Sequence, residues 1–174
     1  MNNQIELKLA QKTNFYKFQQ EMSNLLTKYE IAVDNLMNVF NFINNLESII
    51  CNQKIISCMD KHIATERQII SYLDKKKLPL SIDYIKKNIS GVARINITCP
   101  SVEDEYRLID YINEEYKIEI KKIIDYNKKP KNNGYKGIHL VLSVPLYGDG
   151  SERMNVKIKM RTPVMDFIDS YYII

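Results

Sequence analysis

Two stretches of this sequence concentrate groups that could handle a phosphorylated ligand. The first, "KKPKNNGYKGIHL", sets lysines 128, 129, 131 and 136 around Gly134, Tyr135 and His139. Ammonium groups hold phosphates, glycine lets the backbone come close to a ligand, and a tyrosine ring offers a flat face for a base. A solvated, lysine-rich hairpin loop has the same composition, so the stretch alone does not separate binding from solvation. The second, "NVKIKMRTPVMDF", is a period-two strand running into a helix, with Asn155, Lys157, Lys159 and Arg161 on one face.

Elements to position these groups can be read along the chain. From Phe15 to Leu46 apolar residues recur three and four apart, and neither Gly nor Pro interrupts residues 1–78, which predicts a helical N-terminal part. Thr65 with Gln68 three residues on is a capping box opening a second helix, which Pro79 stops. Val92 to Cys99 alternates as a strand. Ser101 caps a helix with acids in its first turn, and Ile118 to Tyr126 reads as another strand. "IHLVLSVPL" is a buried strand, "YGDGSE" a turn, "MNVKIKM" an amphipathic strand, and Pro163 opens the last helix at its first position. Helices followed by β-α-β-β-β-α imply an α+β fold with a mixed sheet flanked by helices. The 174 residues make one domain, with 1–50 as the helical part and 55–174 as the core.

Composition narrows the function classes. A net charge of +4 permits an anionic partner, nucleotide or RNA, without requiring one. Three cysteines without a CxxC pair, and two distant histidines, suggest neither a disulfide framework nor a zinc site. The polar start carries no signal-peptide core and no apolar run approaches a bilayer span, so the expected compartment is the cytoplasm and no membrane partner is expected.

Three segments, "ITCPSVEDEYRLIDYI" and the two quoted first, together resemble the RelA/SpoT-type alarmone synthetases, most closely the small single-domain ones (GTP pyrophosphokinases). That family shows a lysine-bearing loop, a Gly-Tyr-Arg-Ser-x-His run, then Val-Glu-Ile-Gln-Ile-Arg-Thr followed by Met and an aromatic. Gly134, Tyr135, His139, Arg161, Thr162, Met165 and Phe167 match. The resemblance spans about residues 55–174 and implies a nucleotidyltransferase-like synthetase domain. It implies pyrophosphate transfer from ATP to the 3′-hydroxyl of GDP or GTP with Mg²⁺, and assembly as a homo-oligomer. Lys131, Asn133, Gly134, Tyr135, Lys136, His139 and Arg161 are then expected on the guanine side, toward a guanine nucleotide or (p)ppGpp. Lys61, His62 and Arg67 are expected on the ATP side.

The departures fall on the chemistry. The family's catalytic Glu lies on Lys157 and its Gln on Lys159. Its metal-binding Asp lies on Gly91 in an ungapped alignment, or on Asn88 if the glycines are matched, and neither is acidic. Basic residues expected before the capped helix fall on His62 and Ala64, and Lys136–Gly137 replaces Arg-Ser. An ammonium does not ligate Mg²⁺ and is no base at its ordinary pKa. The expectation is a synthetase-like protein with a degenerate site, no metal, and at most guanine-nucleotide binding. The alternatives are an active synthetase in which Asp125, Asp149, Glu152 or Asp166 stands in for the lost acid, and a module that binds RNA or protein.

Overall fold

The computed structural model describes residues 2–115, 117–146 and 151–171, with side chains from Phe15 to Asp169. Asp149, most of the "YGDGSE" turn and the final three residues lie outside the described residues. The helical periodicity becomes one long helix, α1 (Asn2–Ile50). Its buried stripe runs Met22, Leu25, Tyr29, Val33, Leu36, Phe40, Ile43 and ends in Glu47, one residue every three or four. That spacing keeps a single face on the core.

Then come β1 (Cys58–Ile63), α2 (Glu66–Lys76), α3 (Ile82–Asn88), β2 (Ala93–Thr98), α4 (Val102–Glu114), β3 (Glu119–Asp125), β4 (Ile138–Pro145), β5 (Arg153–Arg161) and α5 (Pro163–Tyr171). The capping box forms as its sequence requires: Gln68 N–H donates to Thr65 Oγ1 at 3.3 Å, and Thr65 N–H donates to Gln68 Oε1 at 2.9 Å. α2 ends on Lys77 in the left-handed region (φ 52°), after Lys75 and Lys76 in the last turn. Those two ammoniums suit the negative end of the helix dipole. β1 and α3 are additions to the sequence expectation.

The sheet order is β1-β2-β5-β4-β3, with β2 and β5 parallel and the other pairs antiparallel. This is the mixed α+β sheet that the sequence implied. Ala93, Ile95 and Ile97 of β2, Val156, Ile158 and Met160 of β5, and Ile138, Leu140 and Leu142 of β4 form its buried face. α1 and α4 cover it, joined by Glu47, which accepts from Tyr111 Oη at 2.5 Å and from Arg107. The alternate residues of the same strands make the opposite, open face.

Candidate functional site

Strand register decides what the open face presents. Arg94 lies opposite Lys157, Asn96 opposite Lys159, and Thr98 opposite Arg161 across the parallel β2–β5 pair. On the other side of β5, Lys159 faces His139 and Lys157 faces Val141. On β1, His62 pairs with Arg94, and Asp60 with Asn96, whose Nδ2 donates to Asp60 Oδ2 at 2.6 Å. Residues from four strands thus form one polar surface.

The cations in its middle form no ion pair with a described residue. Among the described residues no carboxylate lies within 4.0 Å of Arg94, Lys131, Lys157 or Lys159. Arg94 Nε is buried and makes no hydrogen bond. Burial first, then the charge of Arg94, lowers the pKa of both Lys157 and Lys159. A cleft of about 360 Å³ ends on Lys157. Gln68 and Tyr72 of α2 and the turn from Asn88 to Val92 form its walls. Gly91, Asn88 and Lys157 therefore line one cavity, whose described walls offer amides, hydroxyls and an ammonium but no Asp or Glu.

The β3–β4 loop forms a second part of the site. Its turn is built by Asp125, whose Oδ1 accepts from Asn127 N–H at 2.9 Å and Lys128 N–H at 3.0 Å. Asn133 Oδ1 accepts from Tyr135 N–H at 3.2 Å, and Gly134 takes φ 81°. Gly137, at φ 138°, brings the chain so close to β5 that a Cβ would meet the Met160 carbonyl at 2.5 Å.

Tyr126, Tyr135 and His139 pack edge to face, with ring centroids 5.1–5.7 Å apart. Tyr135 Oη and His139 Nε2 are 2.9 Å apart. Burial, reinforced by Lys157, Lys159, Lys131 and Arg161, lowers the His139 pKa to about 3, so its ring is neutral at physiological pH. Burial raises Tyr135 to about 12. The ring of Tyr135 is not presented as a bare platform. It is 6% exposed, and the Lys131 ammonium sits 4.6 Å from its centroid and 4.8 Å from that of Tyr126. Asn133 and Lys136 are exposed on the same loop, and Lys136 N–H donates to Met165 Sδ at 3.4 Å.

Other expected residues have different surroundings. Arg161 is buried and committed to α5: its Nε donates to Asp166 Oδ1 at 2.6 Å, and it pairs also with Asp169. Lys61 lies on the reverse face of the sheet, bonded to Asp34 of α1 at 2.5 Å, because alternation along β1 turns it away from His62. Arg67 is exposed on α2, beside a groove with Gln19, Ser71 and Leu80, and does not line the Lys157 cleft. Of the three ATP-side residues only His62 shares the open face.

The described acids named as stand-ins are all engaged elsewhere. Asp125 holds the turn, Asp166 holds Arg161, and Glu152 holds Lys28 and Lys86. Asp60 was missed because β1 was not recognised. A second missed acid, Glu105, is fully buried under the loop. Asn127 Nδ2 donates to its Oε2 at 2.8 Å, its Oε1 has no partner, and burial raises its pKa to about 7.

A profile describing a region found in RelA / SpoT proteins matches residues 55–173. The chain belongs to the RelA/SpoT family. This family member is 26% identical over 149 residues to the GTP pyrophosphokinase YwaC of Bacillus subtilis (strain 168), covering 85% of this chain and 71% of that protein. It superposes on small alarmone synthetase 2 of Bacillus subtilis with a TM-score of 0.73 at 25% identity, covering 86% of this chain and 76% of the other. Small alarmone synthetase 1 of Bacillus subtilis, solved bound to its product pppGpp, gives a TM-score of 0.74 at 22% identity over 88% of this chain and 81% of its own. That second likeness is one of fold. Among the described residues no helix is long and apolar enough to cross a membrane.

Proposed function

We propose that this RelA/SpoT family member binds a guanine nucleotide or (p)ppGpp on the open face of its sheet and has lost most of the family's pyrophosphate transfer from ATP to GDP or GTP. The observation that carries this reading is the Lys157 cleft, where no carboxylate lines the described walls and an ammonium stands where the resemblance implies the family's Glu. Pyrophosphate transfer needs the phosphates' charge neutralised and the attacking hydroxyl's proton removed. A hard divalent cation takes charged oxygen ligands, so this donor set does not fit Mg²⁺. No described group of three His, Cys, Asp or Glu side chains is placed to hold a metal instead.

The guanine side keeps more of its parts. Lys131 lies on the faces of Tyr126 and Tyr135, where a base displaces it and frees the ammonium for phosphate. Neutral His139 holds the Tyr135 hydroxyl in place.

Incubation with Mg²⁺, labelled ATP and GDP or GTP, beside YwaC as reference, tests the lost activity. The expected yield of ppGpp or pppGpp is lower by several powers of ten, and synthesis at the reference rate overturns the reading. Titration with GDP, GTP and ppGpp tests the pocket. Binding that weakens in Tyr135→Ala is expected, and no binding by any of the three refutes it.

A second reading, retained synthesis with a relocated proton acceptor, is favoured by two observations. Burial and Arg94 disfavour the charged form of Lys157, and Asp60 stands on the same face. If the assay detects product, its loss in Lys157→Met or in Asp60→Asn identifies the acceptor.

A further inference from the structure

We propose that the cations of the open face take the polyphosphate of a nucleotide as its metal-free anion, so that Mg²⁺ opposes binding instead of assisting it. This rests on the nucleotide-site reading above and names the form of ligand the site takes.

The clustering of unpaired, partly buried cations on one face carries the inference. Several cations that pack between elements elsewhere have a carboxylate partner: Arg107 with Glu47, Arg161 with Asp166 and Asp169, Lys28 and Lys86 with Glu152, and Lys61 with Asp34. On the open face Arg94 and Lys157 sit side by side on adjacent strands, with Lys159 two residues on, and none is paired with a described carboxylate. Lys122 and Lys131 add their fields at Lys157. Arg94 Nε is desolvated without an acceptor, a costly state for a charged donor that a ligand oxygen would end.

Like charges crowded in a half-buried site are destabilising by themselves, and a polyanion relieves that repulsion. Here the protein's own cations take the charge-neutralising role that a divalent ion has elsewhere. Chelation by Mg²⁺ removes negative charge from the phosphate tail. It also sets a second positive centre against Lys157, whose cleft has no Asp or Glu on its described walls to receive it. Both effects weaken binding.

Isothermal titration of the full chain with inorganic tripolyphosphate, ATP and GTP, at constant ionic strength, compares EDTA with excess Mg²⁺. The expected result is binding in EDTA that weakens about tenfold or more in Mg²⁺, as complementary charge is lost. Lys157→Ala and Lys159→Ala should each weaken the EDTA binding about tenfold without lowering the thermal melt. Lys157→Glu should reverse the sign of the metal effect. Tighter binding in Mg²⁺, or GTP binding indifferent to both lysine variants, overturns the inference while the nucleotide-site reading stands on its Tyr135 test. No binding of any probe in either condition overturns both.

Discussion

Two buried ionisable side chains support the β3–β4 loop and respond to pH in opposite senses. His139, against Tyr126 and Tyr135, has its pKa lowered from 6.5 to about 3 by burial and surrounding cations. The unfolded chain binds that proton more readily, so the stability contributed by neutral His139 is present above pH 6.5 and is lost as pH falls toward 3. Glu105, under Asn127, has its pKa raised from 4.5 to about 7 by burial, so its contribution is present below 4.5 and is lost as pH rises through 7. The two slopes oppose each other between pH 4.5 and 6.5. Glu105→Gln keeps an oxygen for Asn127 and removes the ionisation. Its melting temperature relative to the parent chain should therefore rise more at pH 8 than at pH 5. Equal shifts at the two pH values, followed by circular dichroism, would show that Glu105 is not titrating in place.

The loop's geometry depends on one close approach between elements. Gly137 combines a positive φ with a carbonyl of β5 where a side chain would stand. Alanine there adds backbone strain of about 1–3 kcal/mol and forces the loop away from Met160. Gly137→Ala should lower stability in urea by at least that amount and weaken guanine-nucleotide binding, since Tyr135 and Lys131 lie on the displaced segment. A variant with parental stability and affinity would show that the loop does not need this contact. Glycine's value at this position is steric: it follows from where β5 lies, not from the loop's own turn chemistry.

The molecule as a whole is held by α1 lying across the buried face of the sheet. Phe40 is fully buried in that stripe, and its truncation leaves a void that the close-packed interior fills only in part. Phe40→Ala should cost about 3–5 kcal/mol in chemical denaturation with an unchanged slope. A loss under 1 kcal/mol would mean that the helix contributes little to the core. α1 and α4 pack on the reverse side of the sheet, so the open face can hold unpaired cations without disturbing the core formed there.

Much of this architecture was legible because helices and amphipathic strands write their burial into local periodicity. The α1 stripe, the Thr65 capping box, the Ser101 cap and the alternation of Asn155, Lys157, Lys159 and Arg161 all follow from residues a few positions apart. Two elements were not legible. β1 is an edge strand whose exposure does not alternate, so Asp60 and the reversed aim of Lys61 went unseen. The seven-residue α3 is too short to show a period. The sequence by itself determined the family and most of the element types, and it set lysine at position 157, where the resemblance implies an acid. Only the tertiary structure decided that Lys157, Gly91 and Asn88 share a cleft, that Arg94 stands beside Lys157, and that Tyr135 is covered and Arg161 already paired. Those facts depend on register between strands far apart in sequence, which burial of the opposite face sets and no local pattern records.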